Sequence, residues 1–262
     1  MSPGAALALK LVVTPLLIGA ASLAGRRWGS AVGGWLIGIP FTSGPIVLFL
    51  ALDHGPRFAA SAAAGVMAGT ASQAAFCLAY AWTAQRQGWG VSLAAATLAF
   101  AAATAVLDVA VLPVLALFVV MIVVLVVSLF LMPAHSARND HVIERIDFPR
   151  WDIPARMIVA TALVVVLTSA APVLGPRLAG LLAPFPLYGT VLAVFAQRLQ
   201  GPGPAVGVLR GLLLGLFAFA WFFLVLALLL PNGIAFAFGS AIVAALAVQG
   251  ASLLAGRRLG LA

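Results

Sequence analysis

The stretch GIPFTSGP, Gly38 to Pro45, interrupts an apolar run otherwise long enough to cross a bilayer. It sets two glycines, two prolines and two hydroxyls at the middle of that run. Proline removes a backbone donor and strains the preceding turn, while glycine tolerates the resulting conformation. Backbone opened in this way is costly against lipid and tolerable only when packed against protein or lining a wet cavity.

The surrounding composition fixes the solvent. With 64% hydrophobic and 8% charged residues, the chain lacks the polar surface a soluble globule of 262 residues needs. Apolar stretches of about twenty residues recur, each sufficient to cross roughly 30 Å of hydrocarbon as a helix. Membrane barrels are excluded, since their strands alternate polar and apolar. The fold expected is an all-α integral membrane protein with nine helices, at about 5–25, 30–52, 57–84, 89–107, 110–132, 155–174, 178–198, 204–230 and 233–256. Asp108 and Pro113 supply the turn between the fourth and fifth.

The net charge of +8 does not point to nucleic acid, because the basic residues are scattered between spans and form no stripe. Arg26, Arg27, Arg86, Arg138, Arg145, Arg150, Arg156, Arg198, Arg257 and Arg258 fall on one side. Lys10, Arg57 and Arg177 fall on the other, with Arg210 inside a span. The basic side is expected to be cytoplasmic, giving an outside N-terminus and an inside C-terminus in a bacterial inner membrane. The first twenty-five residues imitate a secretory signal, but Lys10 interrupts their apolar region and Arg26 and Arg27 follow directly, which argues against cleavage. The long polar segment His135 to Arg156 reads as a cytoplasmic linker, with a regulatory contact or gate as the alternative.

A second interrupted run, APFPLYGT from Ala183 to Thr190, matches the first. A shift of 146 positions aligns Gly29 with Gly175, Gly34 with Gly180, Pro40 with Pro186, Gly55 with Gly201, Pro56 with Pro202, Gly65 with Gly211 and Gly69 with Gly215. Two windows of 41 residues with eight glycines each share five, where about 1.6 coincidences arise by chance. The equivalent segments lie five crossings apart and so enter the membrane from opposite sides. The organisation expected is a first repeat over 1–109, a connecting helix over 110–134, a linker over 135–154 and a second, inverted repeat over 155–262. Inverted repeats with broken helices meeting at the midplane are a recurrent transporter architecture.

On that reading Pro40, Thr42, Ser43 and Gly44 face Pro186, Tyr188, Gly189 and Thr190 across a site for a small solute. Ordinary proline kinks are the competing reading. In the third span, Thr70, Gln73, Cys77 and Tyr80 form a polar stripe at helical spacing that lines a path or bonds to neighbouring helices. The eighth span instead carries Phe217, Phe219 and Trp221, so a shared cavity would have one polar and one aromatic wall. Arg210 either snorkels or attracts an anion, and Asp108 is the candidate for ion coupling or a simple turn cap.

No histidine lies inside a span to serve Ser43 as a base, and there is no HExxH pair, intramembrane aspartate pair or Walker loop. No catalytic residue, cofactor or metal is therefore assigned. The segment Gly34 to Pro56 resembles one found in uncharacterised bacterial multi-pass membrane proteins. Its Gly44-Pro45 leading into an apolar helix is also similar to the LrgB family. That resemblance covers about one helix and implies a link to murein hydrolase control or, as in plastid relatives, to export of glycolate and glycerate. The expectation is a secondary transporter or exporter of a small solute, an organic anion or amphiphile among the classes admitted. A lipid flippase or scramblase and a non-transporting membrane subunit are the alternatives. The partners are the solute, the lipid bilayer and, through apolar outer faces, a second copy in a homodimer.

Overall fold

The computed structural model describes residues 3–37, 40, 43–108, 112–133, 151–159, 161–162 and 184–258. The described residues form helices and turns and no strands. Glycine and proline set the helix boundaries. α1 (Pro3–Trp28) stops at Gly29, whose φ of 100° only glycine adopts readily. Within the interrupted span expected over 30–52, two helices are described, α2 (Ser30–Ile37) and α3 (Ser43–His54), with the non-helical Pro40 between them. Gly55 then turns the chain, and Pro56 opens α4 (Pro56–Ala84), where a missing N–H costs nothing.

A short turn leads to α5 (Trp89–Asp108), and Pro113 caps α6 (Val114–Leu131), so the expected division at Asp108 and Pro113 is present. Helix α7 (152–159) begins within the stretch expected as linker. Most of the expected sixth span and the first part of the seventh lie outside the described residues. The chain resumes with α8 (Leu187–Gln200), α9 (Pro202–Leu229), a 3-10 turn at Leu230–Asn232, and α10 (Ile234–Arg258).

Helix α9 is the core. Every residue from Ala205 to Leu216 is buried, consistent with a helix that is apolar all round and packed on every side. Its neighbours are α2, α4, α6, α8 and α10. The closest is α2: a Cβ on Gly34 would collide with the Val208 carbonyl, and one on Gly211 with the Ala31 carbonyl. The two backbones therefore touch, a contact open only to glycine on both sides.

Five helices among the described residues are long and apolar enough to cross a membrane: α4, α5, α6, α9 and α10. Two of these, α4 and α9, are mostly interior, whereas α5, α6 and α10 keep most of their surface outward. Their outward side chains are large and apolar, with Leu98, Val106, Phe130, Val243 and Leu246 among them. Such a surface is stable against lipid and unstable against water. The protein is thus an all-helical, membrane-embedded chain.

Candidate functional site

Two proline-opened helices define the site. Pro40 is buried between α2 and α3, and its carbonyl accepts the Gly44 N–H at 3.0 Å. Pro186 caps α8, and its carbonyl accepts the Thr190 N–H at 2.8 Å. The prolines and the amides they receive are each 146 positions apart. The turns that follow match too: Gly55 has φ 88° and ψ 162°, Gly201 has φ 93° and ψ −174°, and each precedes a proline that starts a helix.

The segment ahead of α8 leans on α4, and α3 leans on α9. The ring of Pro184 occupies the space over Gly69 of α4. Its carbonyl accepts a 2.5 Å hydrogen bond from Gln73 Nε2, and Phe185 packs edge-on to Phe76 and to Phe100 at 5.5 and 5.2 Å between ring centres. On the other side Gly44 lies against Phe222 of α9, where a Cβ would stand 3.5 Å from the ring. Phe76 and Phe222 are themselves 146 positions apart. Sequence reasoning missed this pair and the role of Pro184, although sliding the aromatic residues by the same shift would have found the first.

The polar residues of the expected stripe are all interior. Thr70 satisfies itself on the Met67 carbonyl at 2.6 Å, and Ser72 accepts from Thr104 of α5 at 2.8 Å. Gln73 Oε1, Tyr80 Oη and Thr190 Oγ1 are buried without a hydrogen-bond partner. Ser43 is buried as well, and Thr42 lies outside the described residues. Gly189 is buried, and Tyr188 packs with Met157 and Phe195 against the cluster of Ile18 and Val191. The aromatic face of α9 is present in altered form: Phe219, Phe222 and Phe223 are buried together, while Trp221 points outward and packs edge-on to Phe118 of α6.

Arg210 is not at the proline-opened segments. Its Nη2 donates to the Pro133 carbonyl at 2.7 Å, just beyond the C-terminal end of α6, and its Nε is buried without a partner. Helical side chains lean toward the N-terminus, and carbonyls at a helix C-terminus attract cations, so the buried guanidinium is held at the end of α6. Asp108 is the last residue of α5, and the placement of its side chain lies outside the described residues. No group of three or more His, Cys, Asp or Glu side chains that could hold a metal occurs among the described residues.

A charge cluster missed by sequence reasoning joins three helices. The buried Asp152 carboxylate of α7 accepts from Arg26 of α1 at 2.6 Å and from Arg156 at 2.9 Å. The Arg156 guanidinium lies 5.2 Å from the centre of the Phe195 ring on α8. A second tie holds α2 to α10, where Gln249 Nε2 donates to the Trp35 carbonyl and Trp35 Nε1 donates to the Gln249 carbonyl and Ser252 Oγ.

No protein-family model matches the chain, and neither do curated proteins or solved structures.

Proposed function

We propose that the chain is a secondary transporter of a small solute, built from nine spans in two inverted repeats and working by alternating access. The observation that carries this reading is reciprocal docking. The segment ahead of α8 rests on α4, with Pro184 over Gly69 and Phe185 against Phe76, and Gly44 of α3 rests on Phe222 of α9; the two receiving rings, Phe76 and Phe222, are 146 positions apart, as are Pro40 and Pro186. Two similar halves that exchange conformations convert an outward-open state into an inward-open one. Helices begun by a proline at depth expose main-chain dipoles at their ends, which can hold a solute without buried charge. On this reading the basic side is cytoplasmic and the second and seventh spans are broken at the midplane.

The test is cysteine accessibility in a Cys77→Ala background, with single cysteines at Thr42, Ser43, Tyr188 and Thr190 labelled from each side by an impermeant thiol reagent. Labelling at Ser43 and Thr190 that responds to solute supports the reading. Silence at all four positions while loop controls react removes it.

One observation favours a second reading, a lipid-handling protein. A shallow, open depression of about 550 Å³ lies on the outer face of α10, lined by Ala235, Phe236, Gly239, Ser240, Val243 and Ala244. Scrambling of a labelled phospholipid in reconstituted vesicles, lost when Gly239 is replaced by Leu, distinguishes the two.

A further inference from the structure

Of the seven buried side-chain N and O atoms without a partner among the described residues, four belong to α4 and α8. Helix α8 is tied alongside α4 at both ends. Gln73 Nε2 donates to the Pro184 carbonyl just ahead of α8, and Gln197 Nε2 donates to the Gln87 carbonyl just after α4, at 2.9 Å. The two segments therefore run in the same direction, with residue 184 level with 73 and residue 197 level with 87. Interpolation puts Thr190 level with Tyr80.

Facing follows from the helical repeat. Residues seven apart lie within about 20° of one another around a helix. Tyr80 is seven after Gln73, which faces the α8 line, and Thr190 is seven before Gln197, which faces the α4 line. The two hydroxyls thus point into the same interval. Cys77 lies between Gln73 and Tyr80 on the same side of α4. Helices α4 and α8 share few direct contacts, and both pack on α9 and α5.

Four polar atoms along this line are buried without partners: Gln73 Oε1, Tyr80 Oη, Thr190 Oγ1 and Gln197 Oε1. The amide orientations are not arbitrary, because each NH2 group faces a main-chain carbonyl, which can only accept. The atoms left over are two obligate acceptors and two hydroxyls. A buried polar atom without a partner costs about 1–3 kcal/mol, so four in one line call for an occupant. The line ends at the exposed turn containing Gln87 and leads inward to the Pro184–Pro186 segment.

We infer that the α4–α8 interval is a binding path for a small, uncharged solute rich in hydrogen-bond donors, such as an amide, urea or polyol. The carbonyl oxygens of Gln73 and Gln197 take donors and repel a carboxylate. None of the four side chains is charged, so an ion entering the interval would lose its hydration without a counter-charge. The rings of Phe76, Phe100 and Phe185 make the inner end apolar on one side. Successive levels about 10 Å apart, seven residues at 1.5 Å each, suit a solute passed from one level to the next. The inference rests on the transporter reading for its place in a transport cycle, while binding alone does not require it.

Cys77 of the unmodified chain is the reporter. Its alkylation by N-ethylmaleimide is followed in reconstituted vesicles with acetamide, urea or glycerol at millimolar concentration, and with acetate as the charged counterpart. Expected is at least a several-fold slowing by one or more of the neutral probes, none by acetate, and loss of the slowing in a Tyr80→Phe/Thr190→Val double variant. Protection by acetate alone, or by no probe, overturns the inference. If Cys77 does not react in the folded chain, unfolding temperature decides. A shift by neutral probes beyond that of the double variant supports the path, and equal shifts in a double variant more stable than the parent mark a dry, packed interval and overturn it. Uptake of the same probes is measured separately. Binding without uptake keeps the path and removes the transporter reading.

Discussion

Replacing Gly211 by alanine tests the central packing of the fold, because local and tertiary effects have opposite signs there. In an open helical position, glycine to alanine stabilises by about 1 kcal/mol through backbone entropy. At Gly211 the new methyl meets the Ala31 carbonyl and lies 2.8 Å from the Trp35 nitrogen. Neither is the end of a flexible side chain, so α2 itself must move. Overpacking costs about 1–3 kcal/mol, and the rigid partner places this position at the upper end. Subtracting the propensity gain leaves a net loss of about 2 kcal/mol. Gly250, on the exposed side of α10 with nothing within 4 Å, is the control and should gain stability from the same change. Reversible unfolding in mixed detergent micelles, followed by tryptophan fluorescence, measures both. A Gly34→Ala/Gly211→Ala double variant should cost less than the sum, since the first methyl already parts the helices. Stabilisation of Gly211→Ala by as much as Gly250→Ala would show that α2 does not cross α9 at this contact.

Other perturbations follow from the same contacts. Asp152→Asn leaves the buried Arg156 and the part-exposed Arg26 without their carboxylate. A loss of about 2–4 kcal/mol is expected, below the full cost of breaking a buried pair because Arg26 reaches solvent, and a change under 0.5 kcal/mol in the same unfolding assay would contradict the geometry. Gln249→Leu removes the amide that donates to the Trp35 carbonyl and should cost about 1–3 kcal/mol, with a blue shift of tryptophan emission absent if Trp35 stays where it is. Gly55→Ala and Gly201→Ala both force a side chain into the same left-handed turn conformation, so each should cost about 1–3 kcal/mol and the two should agree closely; a large inequality would argue against equivalent turns.

Backbone features of the site were legible where a residue type encodes a conformation. Gly55-Pro56 and Gly201-Pro202 reveal themselves because one residue permits positive φ and the next fixes a helix start. The separation of α2 from α3 falls in Gly38 to Pro45, where proline and glycine interrupt the apolar run. Side-chain partners were not. Asp152 meets Arg26 across 126 positions and Gln73 meets Pro184 across 111, and no local pattern announces such pairs. Tyr188 was grouped with Thr190 by proximity in sequence, yet residues two apart on a helix point to nearly opposite sides, and here Tyr188 packs against Ile18. For Arg210 the sequence offered snorkelling or an anion, and neither names the partner it has, the Pro133 carbonyl beyond the end of α6.

On the proposed repeat, positions 146 apart agree in backbone and differ in chemistry, and the difference bears on mechanism. Gly55 and Gly201, Pro40 and Pro186, and Phe76 and Phe222 sit at matching positions, and each belongs to a turn, a helix start or a docking contact. Gln73, by contrast, corresponds to Phe219, and Tyr80 corresponds to Leu226, both buried apolar residues of α9. The exchange of one half's shape for the other's needs only the matched set, because it is a property of turns and packing. Recognition needs the unmatched set, because a hydrogen-bonding solute is held by whichever wall supplies acceptors. On the proposed mechanism, then, solute selection belongs to α4 and α8 alone, and α9 serves as the apolar wall against which they move. Substitutions at Phe219 or Leu226 should therefore disturb rate more than selectivity, and substitutions at Gln73 or Tyr80 the reverse.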